Sequence, residues 1–67
     1  MNEERKQQLL SLADEYFITL NGIPVDVLDC GDKIGLIEIH DSAMDYELMD
    51  WDEYERQTLR NNGQLKK

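Results

Sequence analysis

Residues 16–40 read YFITLNGIPVDVLDCGDKIGLIEIH and contain most of the branched aliphatic residues of the chain. Asn21-Gly22 lies between two alternating apolar runs. This is a strong signal for a β-hairpin, because a type I′ turn needs positive φ at both central residues. A two-residue loop creates three cross-strand pairs: Leu20 with Ile23, Ile18 with Val25, and Tyr16 with Val27. The six side chains share one face, which we expect to be buried.

A second turn at Cys30-Gly31-Asp32 leads into a third strand, 33–40. The length of its loop decides the register, since a slip of one residue exchanges the two faces of the strand. An odd loop places Ile37 and Ile39 in the core, whereas an even loop turns Glu38 and His40 inward and buries polar groups. We therefore expect the odd loop. The outer face then presents Phe17, Asp26, Leu28, Ile34 or Leu36, Glu38 and His40.

A helix is predicted on each side of these strands. The first covers residues 3–15, with Asn2 as its cap and an apolar face formed by Leu9, Leu12, Ala13 and Tyr16. The second covers about 51–61, and Gly63 follows as a stop signal. Asp50 and Glu53 have the spacing of a capping box. The residues expected to face inward are Trp51, Tyr54, Thr58 and Leu59.

Residues 41–49 fit two interpretations. Tyr46 and Leu48 alternate with acids as in a strand, whereas Met44, Leu48 and Trp51 fit one long helix over 42–62. The capping-box spacing favours a loop or a fourth strand. The sequence thus predicts one small α+β domain over 1–67. Its antiparallel sheet has three or four strands (a β-meander) flanked by an N-terminal and a C-terminal helix, and residues 64–67 form a frayed tail.

Negative charge is concentrated in the middle of the chain. The net charge is −8, and residues 26–55 contain eleven acids against Lys33 alone. Direct binding to nucleic acid or to an anionic membrane is disfavoured, because phosphate contacts need clustered Lys and Arg. A basic partner protein is the electrostatic complement. The carboxylates predicted to bind it are Asp26, Glu38, Asp41, Asp45, Glu47, Asp52, Glu53 and Glu55.

Motifs for catalysis, cofactors or metals are missing from the sequence. His40 is the only histidine, and the acidic neighbours Asp29 and Asp32 disfavour a reactive thiolate at Cys30. From Asp41 onward the third and sixth residues are Ala43 and Tyr46, which do not fit a calcium-binding EF-hand loop. We therefore expect no enzyme, no cofactor and no metal. Without a long apolar run or a signal-peptide pattern, we expect a cytosolic protein.

Two functions are compatible with these features. The first is a non-enzymatic inhibitor or adaptor that docks its acidic surface on a basic, nucleic-acid-binding protein. Carboxylates on alternate strand residues and on successive helical turns repeat every ~5–7 Å, which lets them imitate phosphates. The second is a homodimeric structural or regulatory domain that uses the outer sheet face around Phe17, Leu28 and Leu36. An acidic run that only confers solubility is the simpler alternative.

In general type only, a short acidic domain without motifs resembles the small inhibitors that phages encode against host defence. These include anti-CRISPR and anti-restriction proteins, several of which are DNA mimics. The resemblance covers no motif and implies no site residue. It implies a bacterial or phage-infected cytoplasm and an inhibitory role.

Overall fold

A computed structural model describes residues 2–38 and 46–66, without the side chain of Tyr46. The elements are α1 (Glu3–Leu12), β1 (Thr19–Leu20), β2 (Ile23–Asp29), β3 (Lys33–Glu38), β4 (Tyr46–Asp50), α2 (Trp51–Asn61) and β5 (Gln64–Leu65). The strand order is β4-β3-β2-β1-β5, with β5 parallel to β1 and all other neighbours antiparallel. The predicted α+β fold with terminal helices flanking a meander is confirmed. The sheet has five strands rather than three or four.

The predicted hairpin forms at Asn21-Gly22. Both turn residues have positive φ, 53° at Asn21 and 85° at Gly22, and Leu20 pairs with Ile23. The pairing ends early, because β1 contains only Thr19 and Leu20, with one further hydrogen bond from Val25 N to Ile18 O. The expected pairing of Tyr16 with Val27 is therefore wrong.

The register of the second turn differs from the prediction. Val25 faces Glu38 and Val27 faces Leu36, which is the arrangement of an even, four-residue loop. The turn itself favours this length: Cys30 N donates to Lys33 O, Gly31 N donates to the Asp29 carboxylate, and Gly31 has a φ of 83°. Leu36 is consequently 1% exposed and lies in the core. Its assignment to the outer dimer face is wrong.

One face of the sheet carries the core. Its members come from every main strand and from both helices: Leu9, Ile18, Leu20, Val25, Ile34, Leu36, Met49, Trp51, Tyr54 and Leu65. Among the described residues of β3, the even loop turns one polar side chain, that of Glu38, toward the core. The free-energy cost of burying it is small, because Glu38 is the last residue of β3 and is only half-buried. The even register thus places Ile34 and Leu36 in the core instead of the predicted Ile37, and its polar cost at the strand end is small.

Both helices form close to the bounds that the sequence predicts. Asn2 caps α1 through its side chain, which accepts from Arg5 N at 2.7 Å, although α1 ends at Leu12 rather than at residue 15. The bounds of α2 are as predicted, and Trp51, Tyr54 and Thr58 are buried. Leu59 is 47% exposed, so its inward placement is wrong.

Two details at the ends of α2 differ from the expectation. Asp50 stands at the cap position but makes no side-chain cap bond, because its carboxylate is paired with Lys33. The expected frayed tail begins instead with β5, in which Leu65 is 1% exposed. Residues 46–50 form a strand, as favoured above, and residues 41–45 lie outside the described part of the chain.

Candidate partner-binding surface

The β2–β3 turn and the start of α2 form a tightly connected region, here called the turn end (residues 29–33 and 50–53). Its centre is the carbonyl oxygen of Gly31, which accepts from Lys6 Nζ at 2.6 Å and from Trp51 Nε1 at 2.9 Å. Lys6 Nζ also lies 5.2 Å from the centre of the Trp51 ring, a cation–π contact. One backbone oxygen therefore joins both helices to the turn.

The turn end contains five carboxylates, namely Asp29, Asp32, Asp50, Asp52 and Glu53. Four of them line a depression of about 330 Å³ together with Trp51 and Arg56: Asp32, Asp50, Asp52 and Glu53. Two are neutralised within the fold, since Asp50 pairs with Lys33 and Glu53 pairs with Arg56. Asp32 and Asp52 have no ion pair with any described residue. The effective charge is therefore much lower than the sequence indicates.

Glu55 is also paired within the fold. Arg5 donates to it twice, from Nε at 3.1 Å and from Nη2 at 3.0 Å, and the pair joins α1 to α2. The bidentate hydrogen bond lowers the pKa of Glu55 and raises that of Arg5. Both carboxylate oxygens of Glu55 are thus engaged in holding the two helices together.

The other predicted partner-binding residues occupy separate places. Glu38 and Glu47 line a small cavity of about 250 Å³ beside Leu20, Asn21 and Ile23. Asp26 projects from the opposite, open face of the sheet, because it pairs with Ile37 while Val25 pairs with Glu38. Asp41, Asp45 and His40 lie outside the described residues. The carboxylates selected from the sequence therefore form several sites rather than one.

A second region is a groove beside β2. Here the chain of residues 13–18 diverges from β2 before joining β5, and a groove of about 680 Å³ opens between it and residues 25–28, here called the β2 groove. Two exposed carboxylates, Asp14 and Asp26, line it. No Lys or Arg of the described residues does so. Neither carboxylate forms an ion pair with the described part of the chain.

Gly63 explains why the groove stays open. The segment 16–18 packs directly on Gly63, where a Cβ would lie 3.1 Å from both Tyr16 Cβ and Ile18 Cδ1. Thr19 N donates to Gly63 O at 2.9 Å, and Asn21 N donates to Leu65 O at the same distance. The chain before β1 is thus held toward β5 and away from β2.

The open face of the sheet is more apolar than the sequence indicated. Leu28, Gly35 and Leu48 form a row across three strands, with Leu28 37% and Leu48 42% exposed. Phe17, at 72%, is the most exposed large apolar residue described. Leu48 was missed because the sequence left residues 41–49 open between a strand, a loop and a helix. Asp14 was missed because it lies outside the acidic run, and its role depends on a groove that the sequence does not reveal.

Tyr54 is a titratable group in the core of the described fold. It is fully buried, and burial raises its pKa while the neighbouring Thr58 hydroxyl opposes the rise. Its ring packs edge-on against Trp51 at 6.4 Å. None of the grooves described above reaches this hydroxyl. We therefore assign Tyr54 to the core.

Comparisons with protein-family models, with curated proteins and with solved structures find no match. Among residues 2–38 and 46–66, no three His, Cys, Asp or Glu side chains are grouped so that they could hold a metal ion. Over the same described ranges, neither helix has the length and apolar character to cross a membrane.

Proposed function

We propose that this protein is a non-enzymatic interaction module, an inhibitor or adaptor that docks on a basic, nucleic-acid-binding protein. The observation that carries the proposal is the imbalance between paired and unpaired charges. The described structure contains four ion pairs, and they engage Arg5, Lys6, Lys33 and Arg56. Asp14, Asp26, Asp32, Glu38 and Asp52 have no ion pair with the described residues.

The remaining described cations are Arg60 and Lys66. Arg60 is near the C-terminal end of α2, and Lys66 follows β5, whereas the turn end is at the start of α2. No described cation outside the four ion pairs lines the turn-end depression or the β2 groove. A basic groove that normally holds nucleic acid offers the complementary field. An anti-defence inhibitor that imitates DNA is one form of this function.

Affinity capture from the source cells, followed by identification and purification of the captured protein, tests the proposal. We expect binding that weakens steeply between low and high salt and that added duplex DNA competes away. Arg60→Gln is the control variant, since it removes a cation and should not weaken binding. Binding that is equal at low and high salt, or indifferent to DNA, would refute the proposal.

The open sheet face favours homodimerisation as a second candidate function. Leu28 and Leu48 lie on this face, and Phe17 is exposed nearby. Light scattering over a range of concentrations distinguishes the two functions. A dimer that Leu48→Asp converts to a monomer would support the second candidate, and a monomer at high concentration would exclude it.

A further inference from the structure

The hydrogen-bonding groups of β2 are unequally used on its two sides. On one side, β3 pairs with β2 from Val25 to Asp29. On the other side, β1 pairs only at Ile23 and Pro24, and the last bond is from Val25 N to Ile18 O at 3.1 Å. In an antiparallel strand, alternate residues direct both N–H and C=O to the same side. Val27 and Asp29 therefore point theirs to the side of Val25 N, and on that side Val27 lines the β2 groove.

No strand of the described chain pairs with Val27 or Asp29 on that side. An unpaired strand edge is a template for a further strand, and domains that bind peptides use such edges by strand addition. Several residues of an extended chain can lie beside 25–29, since a strand advances about 3.3 Å per residue. The outer wall of the groove is the segment 16–18, which packs on Gly63. The groove therefore exists before a further chain enters it.

The walls of the groove define what would fit. Toward the core they are apolar, formed by Leu10, Ala13 and Val27, whereas Asp26 projects on the open side. A strand in the groove would direct alternate side chains to these two environments. Its inward residues would be apolar, and its outward residues would be Lys or Arg opposite Asp26 and Asp14.

A second groove of comparable size supports the choice by contrast. It runs beside β5, has a volume of about 740 Å³, and is also lined by Phe17. Its described lining includes Lys66 and no carboxylate, so it lacks the complementary charge for a basic segment. The β2 groove combines an unpaired strand edge with unpaired carboxylates.

We propose that the β2 groove is the docking site of the basic partner, and that it binds an extended segment of alternating apolar and basic residues by strand addition to β2. This inference rests on the proposed function and specifies how the partner binds. Contacts with the rest of the partner are electrostatic and do not depend on this groove.

Synthetic peptides test the inference directly. The probe is an eight-residue peptide that alternates lysine and valine, and the control has four lysines followed by four valines, with the same composition and charge. Only the alternating peptide can present basic and apolar faces as a strand. We expect it to bind more tightly, and we expect bound peptide to slow hydrogen exchange at the amides of Val27 and Asp29.

Matched protein variants locate the site. The double variant Asp14→Asn, Asp26→Asn removes the charges of the groove, and Asp32→Asn, Asp52→Asn removes the same charge from the turn end. We expect the first variant to weaken binding of the alternating peptide about tenfold and the second less than about threefold. The reason is that Asp14 and Asp26 would lie beside the lysines of the bound peptide, whereas Asp32 and Asp52 would not. All four residues are exposed, so both variants should fold.

Three results would overturn the inference while leaving the proposed function intact, provided that the salt-dependent partner is still captured. The first is equal loss of binding in both double variants, and the second is no change in exchange at Val27 and Asp29. The third is failure of the alternating peptide to bind at millimolar concentration. If capture yields no salt-dependent partner, the proposed function fails, whatever the peptides do.

Discussion

The turn end and the β2 groove differ in how their carboxylates are used. The turn end has the higher density of acids, but Lys33 and Arg56 neutralise two of them, and Gly31 O ties the turn to both helices. Among the described residues the groove has two carboxylates beside the open strand edge, Asp14 and Asp26, and neither forms an ion pair with the described part of the chain. Charge density along the sequence is therefore a poor guide to the charge that a partner can use.

The largest expected effect tests the register on which both regions depend. Leu36→Asp should lower the free energy of unfolding by more than about 3 kcal/mol, because it places a carboxylate in the core without a partner. Leu48→Asp introduces the same change on the open face and should cost far less. Chemical denaturation monitored by Trp51 fluorescence measures both. Equal effects would contradict the observed faces of β3 and β4.

The next variant acts on the wall of the β2 groove. Gly63 has a φ of 88°, and a Cβ there would lie 3.1 Å from two side-chain atoms, so Gly63→Ala should destabilise by about 2–4 kcal/mol. Gly22→Ala is the matched control. Its φ is 85°, but no atom lies within 4 Å of the added Cβ, so only the backbone cost of about 1–2 kcal/mol applies. If the two costs are equal, packing on Gly63 does not fix the wall.

A smaller effect is expected at the turn end. Lys6→Met keeps the aliphatic stem and removes the bond to Gly31 O and the cation–π contact, at a cost of about 1–2 kcal/mol. Lys33→Met removes an exposed ion pair and should cost under about 1 kcal/mol. Thermal denaturation of both variants gives the comparison. The reverse order would mean that the turn is held by Lys33 and Asp50 instead.

The smallest effect depends on pH. The pKa of Glu55 is lowered in the folded state by Arg5, so its stabilisation is present above the ordinary pKa of a glutamate and is lost as pH falls through the lowered value. Glu55→Gln should therefore be less stable than the parent chain at neutral pH, and the two should converge in acid. Asp52 has no ion pair with the described residues, so Asp52→Asn should change the stability at neutral pH little. Denaturation curves of the two variants and the parent chain from pH 7 to pH 2 measure these differences in stability.

The sequence predicted the elements with strong local signals. Asn21-Gly22 defined the hairpin, and the spacing of Trp51, Tyr54 and Thr58 defined the buried face of α2. The register of β3 was mispredicted because polar burial at Glu38 was judged more costly than it is at a strand end. The geometry of the Cys30–Lys33 turn decided the matter, and it depends on side-chain bonds such as that of Asp29 to Gly31 N.

The candidate surface was less predictable than the fold. Asp26 was selected from the acidic run, but Asp14 gains its place only when the chain before β1 diverges from β2. That divergence depends on contacts between residues 16–18 and Gly63, far apart in sequence. Ion pairs such as Arg5 with Glu55 are equally non-local. Neither kind of contact has a signature in the local sequence pattern.

The parallel pairing of β5 with β1 has a consequence for the order in which the fold opens. The pairing consists of only two residue pairs, Thr19 with Gln64 and Leu20 with Leu65. Forming them closes a loop that includes most of the described chain. Such short ladders between distant segments have low local stability, and their amides exchange by local unfolding. The amides of Thr19 and Asn21 should thus exchange before those of β3. Each such opening also releases the 16–18 segment, so the groove would widen without global unfolding.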